Sequence, residues 1–117
     1  MSLKFYKIYD FVLDGSEPQN ANTVRTVEAE GKRICLARIE TNYFALDDKC
    51  PHAGGKLGEG KCDENGFVIC PIHRYRYDIR TGKGLAQQGD FVETYPVEKR
   101  EDGVYVGLKI KWWKNIF

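Results

Sequence analysis

Apolar and polar positions alternate along this chain in short segments, a pattern that is typical of half-buried β-strands. Residues 5–12 and 24–29 mix aromatic and β-branched side chains with polar ones, and turn signals follow each segment. Similar segments lie at 33–39, 43–46, 66–70, 75–79, 91–97 and 104–110, and Asp102-Gly103 predicts a hairpin turn between the last two. No segment keeps a helical apolar stripe over three turns. The pattern predicts an all-β fold, a small antiparallel sandwich or barrel.

The length of 117 residues fits a single domain, 1–117. A glycine-rich region interrupts the predicted strands, with seven glycines between residues 49 and 84. Glycine adopts positive φ angles and allows the backbone to approach a ligand closely. We therefore expect an inserted ligand-binding subdomain at about 47–84, formed by a pair of loops.

Composition excludes several classes of protein. The net charge of +1 gives no overall basic field for nucleic-acid binding, and 42% hydrophobic with 13% aromatic residues argue against disorder. No apolar run approaches the roughly 18–20 residues of a membrane span, and the first seven residues lack signal-peptide features. We expect a soluble, cytoplasmic protein. In that setting its four cysteines, at positions 35, 50, 62 and 70, favour metal binding over disulfides.

Two short motifs carry the candidate chemistry. They are Cys50-Pro51-His52 and Cys70-Pro71-Ile72-His73, separated by seventeen residues, and they contain the only two histidines of the chain. Two thiolates and two imidazoles can fill four metal positions, and proline stiffens each loop. A zinc site is the chemical alternative, although its usual spacings pair Cys with Cys and His with His. A 2Fe–2S cluster with mixed ligands fits the observed pairing better.

The motifs resemble those of the Rieske proteins, and the flanking residues 43–46, 54–57 and 77–82 fit the same pattern. The resemblance implies a Rieske-like fold with one 2Fe–2S cluster. By position, Cys50 and Cys70 would bind one iron, and His52 and His73 would bind the other at a solvent-facing tip. It further implies a one-electron carrier, because the histidine-bound iron is typically the one reduced.

Departures from the respiratory branch of that family indicate a low reduction potential. The disulfide that braces the two loops there would fall at Gly55 and Ile72, and a serine that hydrogen-bonds a sulfide would fall at Tyr75. Fewer hydrogen bonds to the sulfurs mean a less stabilised reduced state. Tyr77 matches a hydrogen-bonding tyrosine, so part of this tuning is retained. The predicted class is a low-potential ferredoxin like those of ring-hydroxylating dioxygenases.

A terminal oxygenase is excluded, because its mononuclear iron needs two further histidines. The expected partners of a carrier are a flavin reductase and a terminal oxygenase or reductase. A small subunit of a nitrite-reductase-like enzyme and a non-redox Rieske-like binding module remain alternatives. No nucleic acid and no membrane span are expected.

Several features lie outside the motif. Cys35 is expected to be buried as a small apolar residue, and Cys62 to be an incidental thiol. Six cations and four acids surround the loops, which favours an ordinary solvated surface over a docking rim for an acidic partner. The basic, aromatic tail 109–117 is predicted to be a packed terminal strand, with a partner or membrane-surface contact as the alternative.

Overall fold

The structure, a computed structural model, describes residues 2–51, 54–72, 74–85 and 90–109. It confirms the all-β fold class: the described residues form ten strands and one turn of 3-10 helix, Leu57–Glu59. The strands are Leu3–Asp10 (β1), Thr23–Ala29 (β2), Lys32–Ile39 (β3), Asn42–Asp47 (β4), Lys61–Cys62 (β5), Phe67–Ile69 (β6), Arg76–Asp78 (β7), Thr94–Tyr95 (β8), Val97–Arg100 (β9) and Gly103–Lys109 (β10).

Three antiparallel sheets make up the described fold. Their strand orders are β1-β10-β9, β2-β3-β4-β8 and β5-β6-β7. The third sheet lies within the predicted loop subdomain 47–84, whose boundaries stay a prediction. No helix among the described residues is long and apolar enough to cross a membrane.

Strand β3 forms the centre of the protein because both of its faces are buried. Side chains alternate between the faces of a strand. Ile34 and Leu36 belong to one apolar cluster, which also contains residues of β1 and β10. Cys35 and Ala37 belong to a second cluster, together with Tyr77 of β7 and the cysteines of both loops. Residues of the predicted loop subdomain therefore pack directly on the sheet of β2, β3, β4 and β8, which we call the central sheet. The predicted burial of Cys35 is confirmed.

The predicted strand at 91–97 is wrong as a single element. It is two strands that belong to different sheets: β8 pairs with β4, whereas β9 pairs with β10. Pro96 separates them, and its carbonyl oxygen accepts a hydrogen bond from Gly107 N at 2.8 Å. A proline has no amide hydrogen for a ladder, so the chain changes sheets at this residue.

The predicted turn between the last two strands is confirmed with a shift of one residue. Arg100 pairs with Gly103, so the turn consists of Glu101 and Asp102, and Gly103 begins β10. The tail 110–117 and its two tryptophans lie outside the described residues.

Candidate metal centre

Two loops of similar backbone geometry carry the motif cysteines. We call them the first cysteine loop (residues 50–55) and the second cysteine loop (residues 70–75). In each loop the amide of the cysteine donates to the carbonyl oxygen five residues later, at 2.8 Å. In each loop the fifth residue has a positive φ angle, 72° at Gly54 and 55° at Arg74. A left-handed conformation costs a side-chain-bearing residue about 1–2 kcal/mol, so the fold imposes this turn on Arg74.

The two loops approach each other at Gly55. A Cβ atom added to Gly55 would lie 3.0 Å from Ile72 Cδ1 and 3.1 Å from Cys70 Sγ. Gly55 and Ile72 are the two positions at which the respiratory proteins were expected to carry their disulfide, and here the Ile72 side chain occupies the space beside the glycine. The contact between Gly55 and Ile72 is therefore apolar and non-covalent.

The thiols of Cys50 and Cys70 are in no disulfide and are completely buried. They lie within hydrogen-bonding reach of each other. Burial raises the pKa of the Cys70 thiol; the Ile72 amide opposes this shift, and the Cys50 thiol reinforces it. Two adjacent reduced thiols on facing loops are the sulfur half of a mixed-ligand iron–sulfur site, so the donor set fits a 2Fe–2S cluster.

The motif histidines, His52 and His73, lie outside the described residues. Among the residues that the structure describes, no three Cys, His, Asp or Glu side chains form a metal-binding group. The structure thus brings together Cys50 and Cys70, and it describes these two of the four predicted ligands.

The other two cysteines lie in strands outside the cysteine loops, although Cys35 packs in the same apolar cluster as Cys50 and Cys70. Cys35 is buried in β3, and desolvation there raises the pKa of its thiol well above the ordinary value. Cys62 is half-buried in β5, where burial and the charge of Asp63 raise its thiol pKa. Neither residue lies in a cysteine loop.

The side chain of Tyr77 reaches Cys50. Its hydroxyl oxygen lies 3.4 Å from Cys50 Sγ and donates a hydrogen bond to Asp90 Oδ2 at 3.0 Å. Tyr77 is completely buried, and this burial, together with Cys50 and Asp90, holds the pKa of its phenol well above the ordinary value. The sequence pattern identified Tyr77 but not Asp90, since no local signal links a residue thirteen positions downstream to this site.

A buried carboxylate fastens the first cysteine loop to the central sheet. Asp48, only 3% exposed, accepts hydrogen bonds from Thr26 Oγ1 of β2 at 3.1 Å and from Gly58 N at 2.8 Å. Its carbonyl oxygen accepts from Leu57 N at 2.7 Å. We call this group the Asp48 lock. Sequence analysis missed it; a carboxylate directly after an apolar strand and two residues before Cys50 was the available signal.

The charges around the loops are partly paired with each other. Lys56 lies 4.0 Å from Glu59, and Arg76 lies 3.9 Å from Asp63. Arg80 stacks over the Phe44 ring, 5.3 Å from its centroid. Three further cations near the loops, Lys61, Arg74 and Lys83, are exposed. Exposed ion pairs contribute only about 0–1 kcal/mol each to the free energy of unfolding. We expect the charges around the loops to act mainly through long-range attraction of oppositely charged partners.

Comparison with known proteins bears directly on this site. The sequence profile of the Rieske [2Fe-2S] domain matches residues 11–96, which include both motifs. Over 83 residues the chain is 36% identical to the ferredoxin component of the naphthalene 1,2-dioxygenase system of Pseudomonas putida. That match covers 70% of this chain and 79% of the relative.

Solved structures share the fold. The ferredoxin of carbazole 1,9a-dioxygenase from Nocardioides aromaticivorans IC177 superposes with a TM-score of 0.79 at 20% identity, covering 90% of this chain and 98% of that one. A putative small subunit of an NADPH nitrite reductase superposes with a TM-score of 0.73 at 20% identity, covering 88% and 97%. At these identities the likeness establishes a shared fold.

Proposed function

The chain belongs to the Rieske [2Fe-2S] family, and we propose that it is a ferredoxin that carries single electrons from a flavin reductase to a terminal oxygenase or reductase. The naming of the Pseudomonas relative as the ferredoxin component of a dioxygenase system supports this role. The four cysteines form no disulfide, which fits a reducing compartment, and we propose that the carrier works in the cytoplasm.

We propose Cys50, His52, Cys70 and His73 as the cluster ligands, within a cluster-binding subdomain at about 47–84. The observation that carries this proposal is the pair of similar loops, each of which presents one buried, reduced thiol at its first position. When bound, the cluster supplies reversible one-electron chemistry. The protein holds two thiols in place and excludes water from them, and the described loop residues Pro51, Gly54, Pro71 and Ile72 are exposed to a partner.

The first prediction concerns the cofactor and its potential. The purified protein should contain iron and acid-labile sulfide in equal amounts. After dithionite reduction, its EPR spectrum should show the low average g value of a mixed-ligand cluster. A redox titration should place the midpoint near the low end of the roughly −150 to +300 mV range of Rieske centres, because no brace joins Gly55 to Ile72 and a tyrosine replaces the serine. A colourless zinc protein would contradict the function, and a clearly positive midpoint would contradict the low potential.

The second prediction concerns the charge around the loops. Ferricyanide, an anionic oxidant, should oxidise the reduced protein faster at low salt than at high salt, whereas a cationic cobalt complex should show the opposite trend. The reason is that the exposed cations outnumber the acids here, and their field is screened beyond about 10 Å at 0.1 M salt. Stopped-flow mixing measures both rates.

Arg74→Ala and Lys99→Ala form a matched pair for this measurement, since each removes one exposed positive charge. Arg74 lies in the second cysteine loop, which joins β6 and β7 of the third sheet. Lys99 lies in β9, which belongs to the sheet of β1, β10 and β9. The salt dependence should weaken in Arg74→Ala and stay unchanged in Lys99→Ala. Equal salt responses for the two oxidants would show that the surface is electrostatically neutral in effect.

A further inference from the structure

The hydroxyl group of Tyr77 has two acceptors and only one hydrogen to give. Cys50 Sγ lies 3.4 Å from the hydroxyl oxygen, and Asp90 Oδ2 lies 3.0 Å from it. A neutral phenol carries a single O–H donor. A Cys50 thiol has a hydrogen of its own and can donate it to the Tyr77 oxygen, but a cluster-bound Cys50 thiolate can only accept. With the cluster bound, the hydrogen bond to the sulfur and the hydrogen bond to the carboxylate are therefore alternatives at any one moment.

We propose that Asp90 captures the Tyr77 hydrogen and so withholds it from the Cys50 sulfur, which makes Asp90 a positioning residue that lowers the reduction potential of the centre. The inference rests on the cluster function proposed above. A carboxylate oxygen is a charged acceptor, and charge-assisted hydrogen bonds are about twice as strong as neutral ones. Sulfur is a weak acceptor, and the thiolate of a bound cluster shares its charge with iron. The Asp90 carboxylate is therefore a stronger acceptor for the Tyr77 hydrogen than the Cys50 sulfur is.

Backbone contacts hold Asp90 close to Tyr77. Gly84 N donates to Asp90 O at 2.9 Å, and Gly84 itself forms a bridge with Tyr77 of β7. The next residue along, Phe91, forms a bridge with Lys83. Residues 83–84 therefore lie between Tyr77 and the Asp90 backbone, and these contacts are made by backbone atoms. We expect substitutions at Asp90 to preserve the local fold.

Two physical effects of Asp90 act in the same direction. A hydrogen bond to a ligand sulfur stabilises the added electron and raises the potential, so capture of the hydrogen by Asp90 lowers it. The negative charge of the carboxylate also opposes the added electron. A single substitution at Asp90 cannot separate these effects. The Tyr77→Phe background can, because it lacks the hydroxyl group and retains only the charge effect.

The test is a double-mutant cycle on the intact protein: the parent, Tyr77→Phe, Asp90→Ala and the double variant. Their midpoint potentials are measured by redox titration followed by EPR. We expect Tyr77→Phe to change the parent little and Asp90→Ala to raise the midpoint. In the Asp90→Ala background, Tyr77→Phe should weaken reduction about tenfold, since the hydroxyl there serves the sulfur alone. Tenfold corresponds to about 59 mV for a one-electron couple.

Equal effects of Tyr77→Phe in both backgrounds would overturn the inference, because the hydroxyl would then serve the sulfur regardless of Asp90. If Asp90→Ala does not retain the cluster, Asp90→Asn replaces it in the cycle. It keeps the volume, removes the charge and leaves a neutral, weaker acceptor for the Tyr77 hydrogen, so it should raise the midpoint less than Asp90→Ala and make the effect of Tyr77→Phe intermediate. A parent protein without a Rieske spectrum would overturn the proposed function itself, which is a different result from additive midpoints in proteins that hold the cluster.

Discussion

Cys50→Ala and Cys70→Ala should each cause near-complete loss of iron, of visible absorbance and of the EPR signal of the reduced protein. The thiolates are the ligands that attach an iron–sulfur cluster to a chain, and alanine offers no replacement. Both sulfurs are buried where the two cysteine loops face each other, and Cys35 and Cys62 lie in strands outside these loops. The ligand proposal extends the same expectation to His52→Ala and His73→Ala.

Cys62→Ala is the matched control for this experiment. It removes the same thiol group from β5, outside both loops, and should leave iron content and spectra unchanged. Cys35→Ala should also keep the cluster, with a modest loss of stability from the small cavity left in β3. Retention of the full EPR signal in Cys70→Ala, or its loss in Cys62→Ala, would show that the ligand assignment is wrong.

The sequence was sufficient to predict the strands whose side chains pack on a face of the core. Strands β2, β3 and β4 begin and end within one residue of the predicted segments, because alternation and β-branched content are local signals. The uninterrupted apolar run Ile34-Cys35-Leu36-Ala37 was predicted as a strand, but its reason appears only in the structure: β3 has a core on each face.

Elements that depend on tertiary pairing could not be predicted in this way. Strand β5 is two residues long and contains a lysine, and it is a strand only because β6 pairs with it. The change of sheet at Pro96 depends on which neighbours are available to β8 and β9, and that information is not local.

The residues of the candidate site show the same difference between local sequence signals and tertiary contacts. Cys50 and Cys70 belong to motifs with a recognisable spacing, and Tyr77 follows the last residue of the second motif by four positions. Asp48 and Asp90 are ordinary polar residues in the sequence. Their roles come from distances to Thr26 and Tyr77 that only the folded chain defines.

Gly58→Ala should destabilise the protein by about 3–5 kcal/mol and lower its retention of the cluster, because it forces apart the two elements joined by the Asp48 lock. An added Cβ atom would overlap Thr26 Oγ1 and would lie 2.6 Å from Thr26 N and 2.8 Å from Asp48 Oδ1. The amide of Thr26 belongs to the backbone of β2, so it cannot rotate away as a side chain would. Thermal unfolding and iron retention during gel filtration measure the two effects.

Gly54→Ala is the control, since it makes the same substitution in the first cysteine loop where an added Cβ meets nothing within 4 Å. Its positive φ angle of 72° costs about 1–2 kcal/mol, which is the backbone penalty alone. If Gly58→Ala is no more destabilising than Gly54→Ala, the stabilising role proposed for the Asp48 lock is wrong.

The Asp48 lock bears on the candidate site because Leu57 N donates a hydrogen bond to Asp48 O, two residues before Cys50. We therefore expect a displacement of Gly58 to move Cys50 as well. The contact between Gly55 and Ile72 is apolar, so the Asp48 carboxylate supplies a polar anchor that holds the first cysteine loop against the sheet of β2, β3, β4 and β8.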